Sequence, residues 1–155
     1  AVTMMAQVCR EAESAIYQKA YTAGLNSLAL LPLGSSDAVA AAVVEAASNA
    51  GAKLICTLTA TGTSAKLIAK YRPRCPILVL ASDSNIGAAL HLHRGCFPFF
   101  YPHERVPGDE DERFAYAITL AKGTGLISSG DMIVLAHGWR SGTSSLNSFR
   151  LVRLS

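Results

Sequence analysis

Several hydroxyl side chains follow a short apolar run near the middle of the chain. The run, residues 54–58 (LICTL), is nearly continuous in its hydrophobicity, which is typical of a strand covered on both faces. The residues after it suit a phosphate; they are Thr59, Thr61, Gly62, Thr63 and Ser64. A helix predicted to begin at Ser64 adds backbone N–H groups to these hydroxyls, and glycine lets an anion come close. The alternative is a Ser/Thr-capped turn that holds no ligand.

A second candidate segment lies late in the chain, at residues 138–145 (GWRSGTSS) between two predicted strands. It carries the single tryptophan of the sequence, Trp139, and one arginine, Arg140, among glycine and hydroxyl residues that include Gly142, Thr143 and Ser144. Arginine suits bidentate contact with a phosphate, and glycines allow backbone amides to face a ligand. The tryptophan needs a partner, which is either a ligand ring or another subunit. The alternative is an exposed hairpin tip with no function.

Patterns that would indicate a self-contained active site are missing. The four histidines lack metal-binding spacing, and neither a G-x-x-x-x-G-K-[ST] loop nor a G-x-S-x-G nucleophile elbow occurs. No carboxylate pair follows a predicted strand where a magnesium ion could bridge phosphates. Arg113, amid four acids, reads by itself as part of a solvated charge run. We therefore predict no catalytic residues and no metal ligands in this chain.

Composition limits the class of protein. The chain has 155 residues, of which 50% are hydrophobic and 16% charged, so we predict a single globular domain over residues 1–155. A net charge of +3 does not favour nucleic acid, and no apolar stretch reaches the roughly 20 residues that span a bilayer. The four cysteines form no C-x-x-C pair, so we expect free thiols and a cytoplasmic setting. A start directly on a helical pattern predicts a domain cut from a longer protein.

Helical and strand patterns alternate along the chain. The predicted helices are residues 2–23, 38–50, 64–70, 85–93 and 109–122, and residues 25–33 read as a loop. The predicted strands are residues 54–58, 77–80, 96–101, 131–136 and 149–154. Alternation of this kind predicts an α/β fold with a largely parallel sheet. The last strand returns directly from its neighbour and should be antiparallel.

At four places the sequence is similar to one known family. These are the opening AVTMMA helix, AKLIAKYRPRCP at residues 65–76, HRGCFP at 93–98, and GD at 130–131 followed by GWR at 138–140. The whole chain resembles the C-terminal domain of pyruvate kinase. The resemblance implies a three-layer α/β/α domain with a mixed five-stranded sheet. It also implies a regulatory domain that binds fructose 1,6-bisphosphate, or a similar phosphorylated effector, and forms one subunit interface of a homotetramer.

The resemblance also assigns roles. The parent enzyme transfers phosphate from phosphoenolpyruvate to ADP with magnesium and usually potassium, in a barrel domain expected to lie outside this chain, so no cofactor is expected here. The 6-phosphate pocket falls on residues 59–64, the 1-phosphate contact on Arg113, and the loop closing over the sugar on residues 139–144. Val106 and Ser144 depart from the tryptophan and glycine found in relatives. These departures favour the alternative function, an oligomerisation module that binds no sugar phosphate.

Overall fold

The computed structural model describes residues 1–28, 30–103, 106, 108–138 and 146–155, and the backbone alone of residue 19. The chain divides into two compact units, residues 1–31 and residues 32–155. That residues 1–155 form a single domain remains a prediction.

The first unit contains two helices, α1 (Val2–Ser14) and α2 (Gln18–Ser27), where the pattern had predicted one helix followed by a loop. The hydroxyl of Ser14 donates to the carbonyl of Glu11 at 2.7 Å, and the N–H groups of residues 15 and 16 donate three residues back. A serine hydroxyl competes in this way with the helical ladder. Tyr17 then takes an extended conformation and becomes the N-cap of α2.

The second unit is built on a mixed sheet of five strands within the described residues. The strands are β1 (Leu54–Thr59), β2 (Ile77–Ala81), β3 (Cys96–Phe100), β4 (Met132–His137) and β5 (Ser148–Arg153). Their order is β3-β2-β1-β4-β5, with β5 antiparallel to β4 and the other pairs parallel. Pro98 lies in β3, an edge strand, where its missing N–H costs least. The predicted α/β fold and the antiparallel last strand are confirmed.

Helices cover both faces of this sheet. They are α3 (Ser35–Asn49), α4 (Thr63–Lys70), α5 (Ser84–Leu90) and α6 (Glu110–Gly123). Successive side chains of a strand point to opposite faces, so Ile55 packs with α3 and α4 while Cys56 packs with α6. The result is the three-layer α/β/α arrangement. Helix α5 ends earlier than predicted because the N–H groups of residues 91–93 donate three residues back rather than four.

The strand order reverses at β1. Strands β2 and β3 lie on one side of β1 and β4 lies on the other. The carboxyl ends of these four parallel strands share one edge, which we call the carboxyl edge. Ligands of open α/β sheets bind outside this edge, next to the point of reversal. Both candidate segments, after β1 and after β4, follow strands that end there.

Candidate functional site

The loop from β1 to α4 forms a small cradle, which we define as residues 59–64. Its N-cap, Gly62, has φ +82°, in the left-handed region that glycine adopts without strain. The N–H of Gly62 donates to Oγ1 of Thr59 at 2.9 Å, which joins the last residue of β1 to the start of α4. The five cradle residues predicted from sequence are therefore brought together in one turn.

The open side of the cradle presents hydrogen-bonding groups. The first helical hydrogen bond of α4 runs from the N–H of Lys66 to the carbonyl of Gly62 at 3.1 Å. The N–H groups of residues 63–65 therefore have no acceptor within the helix. Oγ1 of Thr61 lies 2.9 Å from Oγ1 of Thr63, and both side chains are exposed. Ser64 is buried at the helix start. The positive end of the helix dipole and these donors suit an anion.

Helix α5 packs against Gly62, at the centre of the cradle. A Cβ placed on Gly62 would lie 3.3 Å from Cγ2 of Ile86 and 3.3 Å from Cδ2 of Leu90. Leu90 is fully buried in the core. The backbone of the cradle is therefore held against packed side chains, and only a residue without a side chain fits at its centre without displacing them.

Arg113 lies in the first turns of α6, at the carboxyl edge, where the resemblance had placed a phosphate contact. Its side chain is only 3% exposed, and its Nη1 lies 3.6 Å from Oδ1 of Asp109. The guanidinium carbon lies 5.7 Å from the ring centroid of Tyr101, within the range of a cation–π contact. The positive charge of Arg113 therefore faces a carboxylate and an aromatic ring.

Beside Arg113 is a cavity of about 500 Å³, which we call the tyrosine cavity. It is lined by Tyr101, His103, Val106, Asp109, Glu112 and Tyr116. The ring of Tyr101 meets the rings of His103 and Tyr116 edge to face, each at 5.3 Å between centroids. Of these residues, the sequence had related only Val106 to ligand binding, while His103, Asp109 and Glu112 were given no such role. The concentration of aromatic residues at 97–103 (FPFFYPH) was the signal that could have indicated the cavity.

The tyrosine cavity and the cradle lie on the same edge of the sheet. The N–H of Tyr101 donates to the carbonyl of Ala81 at 3.2 Å, and Ala81 pairs with Thr59 across β1 and β2. Two strand spacings separate Tyr101 from Thr59, which is about 10 Å. A ligand of hexose size can span that distance.

The candidate residues of the second segment lie outside the described residues; they are Trp139, Arg140, Gly142, Thr143 and Ser144. Of the described residues on either side, His137 ends β4 next to β1, and its ring contacts Phe114 at 5.6 Å between centroids. The N–H of Asn147 donates to the carbonyl of His137 at 3.3 Å. The segment therefore leaves and rejoins the described chain at the carboxyl edge.

The remaining chemistry-bearing groups lie away from the cradle. A cavity of about 570 Å³ lies where the C-terminal part of α4 meets the turn before β3; the cations lining it are Lys66, Lys70, Arg72 and Arg94. Burial raises the pKa of the Cys56 thiol to about 12, against the opposing effect of Arg113, and burial raises those of Cys75 and Cys96 to about 11. These thiols are therefore protonated and unreactive at neutral pH.

Across the described ranges, no three histidine, cysteine or acidic residues gather as a metal site would require. In the same part of the chain, no helix has both the length and the apolar character needed to cross a bilayer.

Comparison with known proteins gives a consistent result. Residues 37–152 match the family described as "Pyruvate kinase, alpha/beta domain". Pyruvate kinase of Candida albicans is 36% identical over 156 residues, covering 99% of this chain and 31% of the relative. Human pyruvate kinase PKLR is 34% identical over 158 residues, covering 100% and 28%. The Eimeria tenella pyruvate kinase is 41% identical over 139 residues, covering 89% and 25%. The chain thus spans less than a third of these relatives.

Proposed function

Since this chain belongs to the C-terminal α/β-domain family of pyruvate kinases, we propose that it is the regulatory part of such an enzyme. In this proposal the carboxyl edge binds fructose 1,6-bisphosphate or a similar phosphorylated effector. The full enzyme transfers phosphate from phosphoenolpyruvate to ADP, and the magnesium and potassium for that step bind outside this chain. A cytoplasmic location is part of the proposal and is supported by the free cysteines.

The observation that carries the proposal is the cradle. The exposed hydroxyls of Thr61 and Thr63 lie 2.9 Å apart, and the N–H groups of residues 63–65 come before the first helical hydrogen bond of α4. Both sets of groups follow β1 directly, at the reversal of strand order. A phosphate at that point would accept several charge-assisted hydrogen bonds, which are about twice as strong as neutral ones. The glycine at the centre lets the backbone pack against Ile86 and Leu90, which holds the cradle in place.

Regulation would follow from a ligand that joins the cradle to the segment after β4. An effector shifts a conformational balance only through its different affinities for the two states, and such coupling is typically about 1–3 kcal/mol. We propose that an effector held by the cradle and by residues 139–144 stabilises one arrangement of the homotetramer. Residues on both sides of the strand reversal would then respond to one ligand.

An oligomerisation role without a sugar ligand is the second candidate. Strand β5 is an edge strand, and its Phe149 and Leu151 are 37% and 46% exposed. An edge strand with exposed apolar side chains is a surface on which another chain can pair. This role predicts self-association of the chain that does not depend on a phosphorylated ligand, and analytical ultracentrifugation with and without ligand separates the two candidates.

The direct test is calorimetric titration of the chain with fructose 1,6-bisphosphate. We expect saturable one-site binding. The double variant Thr61→Ala with Ser64→Ala should weaken it by about 100-fold or more, because each hydrogen bond to a charged group contributes about 1.5–3 kcal/mol. The matched control, Ser48→Ala with Thr119→Ala, removes two exposed helical hydroxyls outside the cradle and should not change the affinity. Unchanged affinity in the cradle variant would rule out this site. An absence of heat at millimolar ligand would favour the oligomerisation role.

A further inference from the structure

We propose that the cavity of about 570 Å³ at the end of α4, which we call the cationic cavity, binds a small molecule that carries two or more contiguous phosphates. Four cations line this cavity; they are Lys66, Lys70, Arg72 and Arg94. The cavity lies where α4 ends and β3 begins, at the edge of the sheet opposite to the cradle. The proposed function and this second site can therefore be tested separately.

Arg72 is held in a conformation that an arginine rarely adopts. Its φ is +54°, and among the described residues only glycines otherwise have a positive φ. The N–H of Arg72 donates to the carbonyl of Ala69 at 3.0 Å, which places Arg72 just past the end of α4. Glycine is the usual residue at this position of a helix, because a side chain makes the left-handed conformation costly. A costly residue that also lines a cavity indicates that its side chain has a function there.

The cations of the cavity form a row. Lys66 and Lys70 are one turn apart on α4 and therefore share a face of that helix, with about 5–6 Å between their Cβ atoms. Arg72 follows the end of the helix, and Arg94 comes from the turn before β3. A guanidinium contacts phosphate through two parallel hydrogen bonds, whereas lysine contributes a point charge. Cations in a row suit an anion whose charges are spread over contiguous phosphates better than they suit a single phosphate.

Neighbouring negative charge offsets only part of this positive charge. The carboxylate of Asp37 lies 2.7 Å from Nζ of Lys70. The C-terminal ends of α4 and α5 lie at this edge of the sheet, and each contributes about half a negative elementary charge. Against Asp37 and these two helix ends, about two of the four positive charges remain. The cations therefore exceed what stabilisation of the helix ends requires, and a polyanion would supply the remaining negative charge.

The cavity also offers room and apolar surface. Its volume lies within the range of about 300–1,000 Å³ that is usual for small-ligand pockets. Leu92 and Phe97 line it and are 88% and 46% exposed. Arg72 and Arg94 each make an interaction within the fold, but a guanidinium has five N–H donors and can contact an anion as well. Contiguous phosphates occur in nucleoside di- and triphosphates and in condensed inorganic phosphates, and both share the chemistry that this row of cations recognises.

The first test is calorimetric titration of the unaltered chain with phosphate, pyrophosphate and tripolyphosphate in a buffer without divalent cations. The affinity should rise by about tenfold with each added phosphate, because more charge-assisted hydrogen bonds form along the row. Equal affinities for the three anions, or no saturable binding of tripolyphosphate at millimolar concentration, would overturn the proposal. Guanosine triphosphate then separates the two sources. Tighter binding than that of tripolyphosphate indicates a nucleotide, equal or weaker binding indicates a condensed phosphate, and both results support a polyphosphate site.

Arg72→Gly separates a ligand-binding role of this side chain from a structural one. Glycine adopts the left-handed conformation without strain, so the midpoint of urea denaturation should not fall. The affinity for tripolyphosphate should nevertheless fall by about tenfold or more, because an arginine–phosphate contact is lost. A structural role predicts the reverse, which is a lower midpoint with unchanged affinity, and that result would overturn the proposal.

A second variant decides the matter if Arg72→Gly does not fold. Arg94→Gln should also weaken tripolyphosphate binding by about tenfold, and an unchanged affinity would overturn the proposal. The matched control is Arg74→Ala, which removes the same charge from an exposed residue that is not among those lining the cavity. Its affinity should stay within about twofold of the unaltered chain, because water and salt screen an exposed charge. An equal loss in this control would indicate general attraction to a positive surface and would overturn the site.

The cradle variant, Thr61→Ala with Ser64→Ala, distinguishes this site from the one under the proposed function. It should bind tripolyphosphate as the unaltered chain does, because its substitutions lie at the other edge of the sheet. Loss of tripolyphosphate binding in this variant would place the ligand at the cradle and overturn the proposal. Failure of fructose 1,6-bisphosphate to bind, with tripolyphosphate binding retained, would count against the proposed function alone.

Discussion

Oγ1 of Thr59 accepts a hydrogen bond of 2.9 Å from the backbone N–H of Gly62. The bond joins the last residue of β1 to the N-cap of α4 and satisfies a buried donor that the helix itself cannot satisfy. It also fixes the turn in which the side chains of Thr61 and Thr63 are exposed. The shape of the proposed phosphate site therefore depends on a hydroxyl that faces the protein rather than the ligand.

Thr59→Val should destabilise the second unit. Valine keeps the shape of threonine but leaves the Gly62 N–H without its acceptor, so the free energy of unfolding should fall by about 1–3 kcal/mol. Urea denaturation followed by circular dichroism measures the change. Thr119→Val is the control, because that hydroxyl bonds the Ala115 carbonyl on an exposed helix face and its loss should cost less than about 0.5 kcal/mol. Equal losses in the two variants would contradict this role of Thr59.

Gly62→Ala should impair both stability and ligand binding. A left-handed conformation costs a residue with a side chain about 1–2 kcal/mol, and the new Cβ would also lie 3.3 Å from Ile86 and Leu90. Gly130→Ala is the matched control, since Gly130 has φ +90° and nothing lies within 4 Å of a Cβ placed there. In both variants the free energy of unfolding should fall by the cost of the left-handed conformation. Only Gly62→Ala should lose more stability and bind fructose 1,6-bisphosphate more weakly, and identical behaviour of the two variants would contradict a packed cradle.

Stability should fall as the pH rises above 9. Burial raises the pKa of Cys56 from 9.0 to about 12 and those of Cys75 and Cys96 to about 11. Between these values the folded chain holds more protons than the unfolded chain, so the free energy of unfolding decreases with pH, and the stabilisation is complete only below pH 9. Urea denaturation in a reducing buffer at pH 7.5, 9.5 and 10.5 measures the slope.

The matched variants for the pH effect are Cys56→Ala and Cys9→Ser. The first should make the slope shallower because it removes the thiol whose pKa is raised most, whereas the second should leave it unchanged because Cys9 is exposed. Part of the slope should survive in Cys56→Ala, since burial also raises the pKa of Tyr71. A stability that does not vary between pH 7.5 and 10.5 would contradict burial of these thiols.

Thiol labelling should distinguish the cysteines at pH 8. Cys9 is exposed, Cys56 and Cys96 are buried, and Cys75 is intermediate with a raised pKa. Because the thiolate is the reactive form, only Cys9 should react rapidly with a disulfide reagent such as Ellman's reagent. The Cys9→Ser variant should show no rapid phase, and all remaining thiols should react in denaturant. A rapid phase that persists in Cys9→Ser would show that the core opens at these strands.

The order and type of the elements in the second unit were predictable from sequence. Strands β1 and β2 are buried on both faces, and a strand of that kind leaves a continuous apolar run such as residues 54–58. The break between α1 and α2 was not predictable from apolar spacing. It depends on the hydroxyl of Ser14 taking the carbonyl of Glu11, a competition that differs from helix continuation by only a small free energy.

The candidate site divides in the same way. Local sequence determined the cradle, because hydroxyls, a glycine and a helix start that follow one another in the chain must lie together in one turn. Local sequence also put Arg113 at the start of α6, and hence at the carboxyl edge. Only the tertiary structure decided what Arg113 faces. Tyr101 directly follows β3 and Asp109 is the N-cap of α6, and their packing buries the guanidinium. The direction of a charged side chain is set by neighbours distant in sequence, which apolar spacing does not encode.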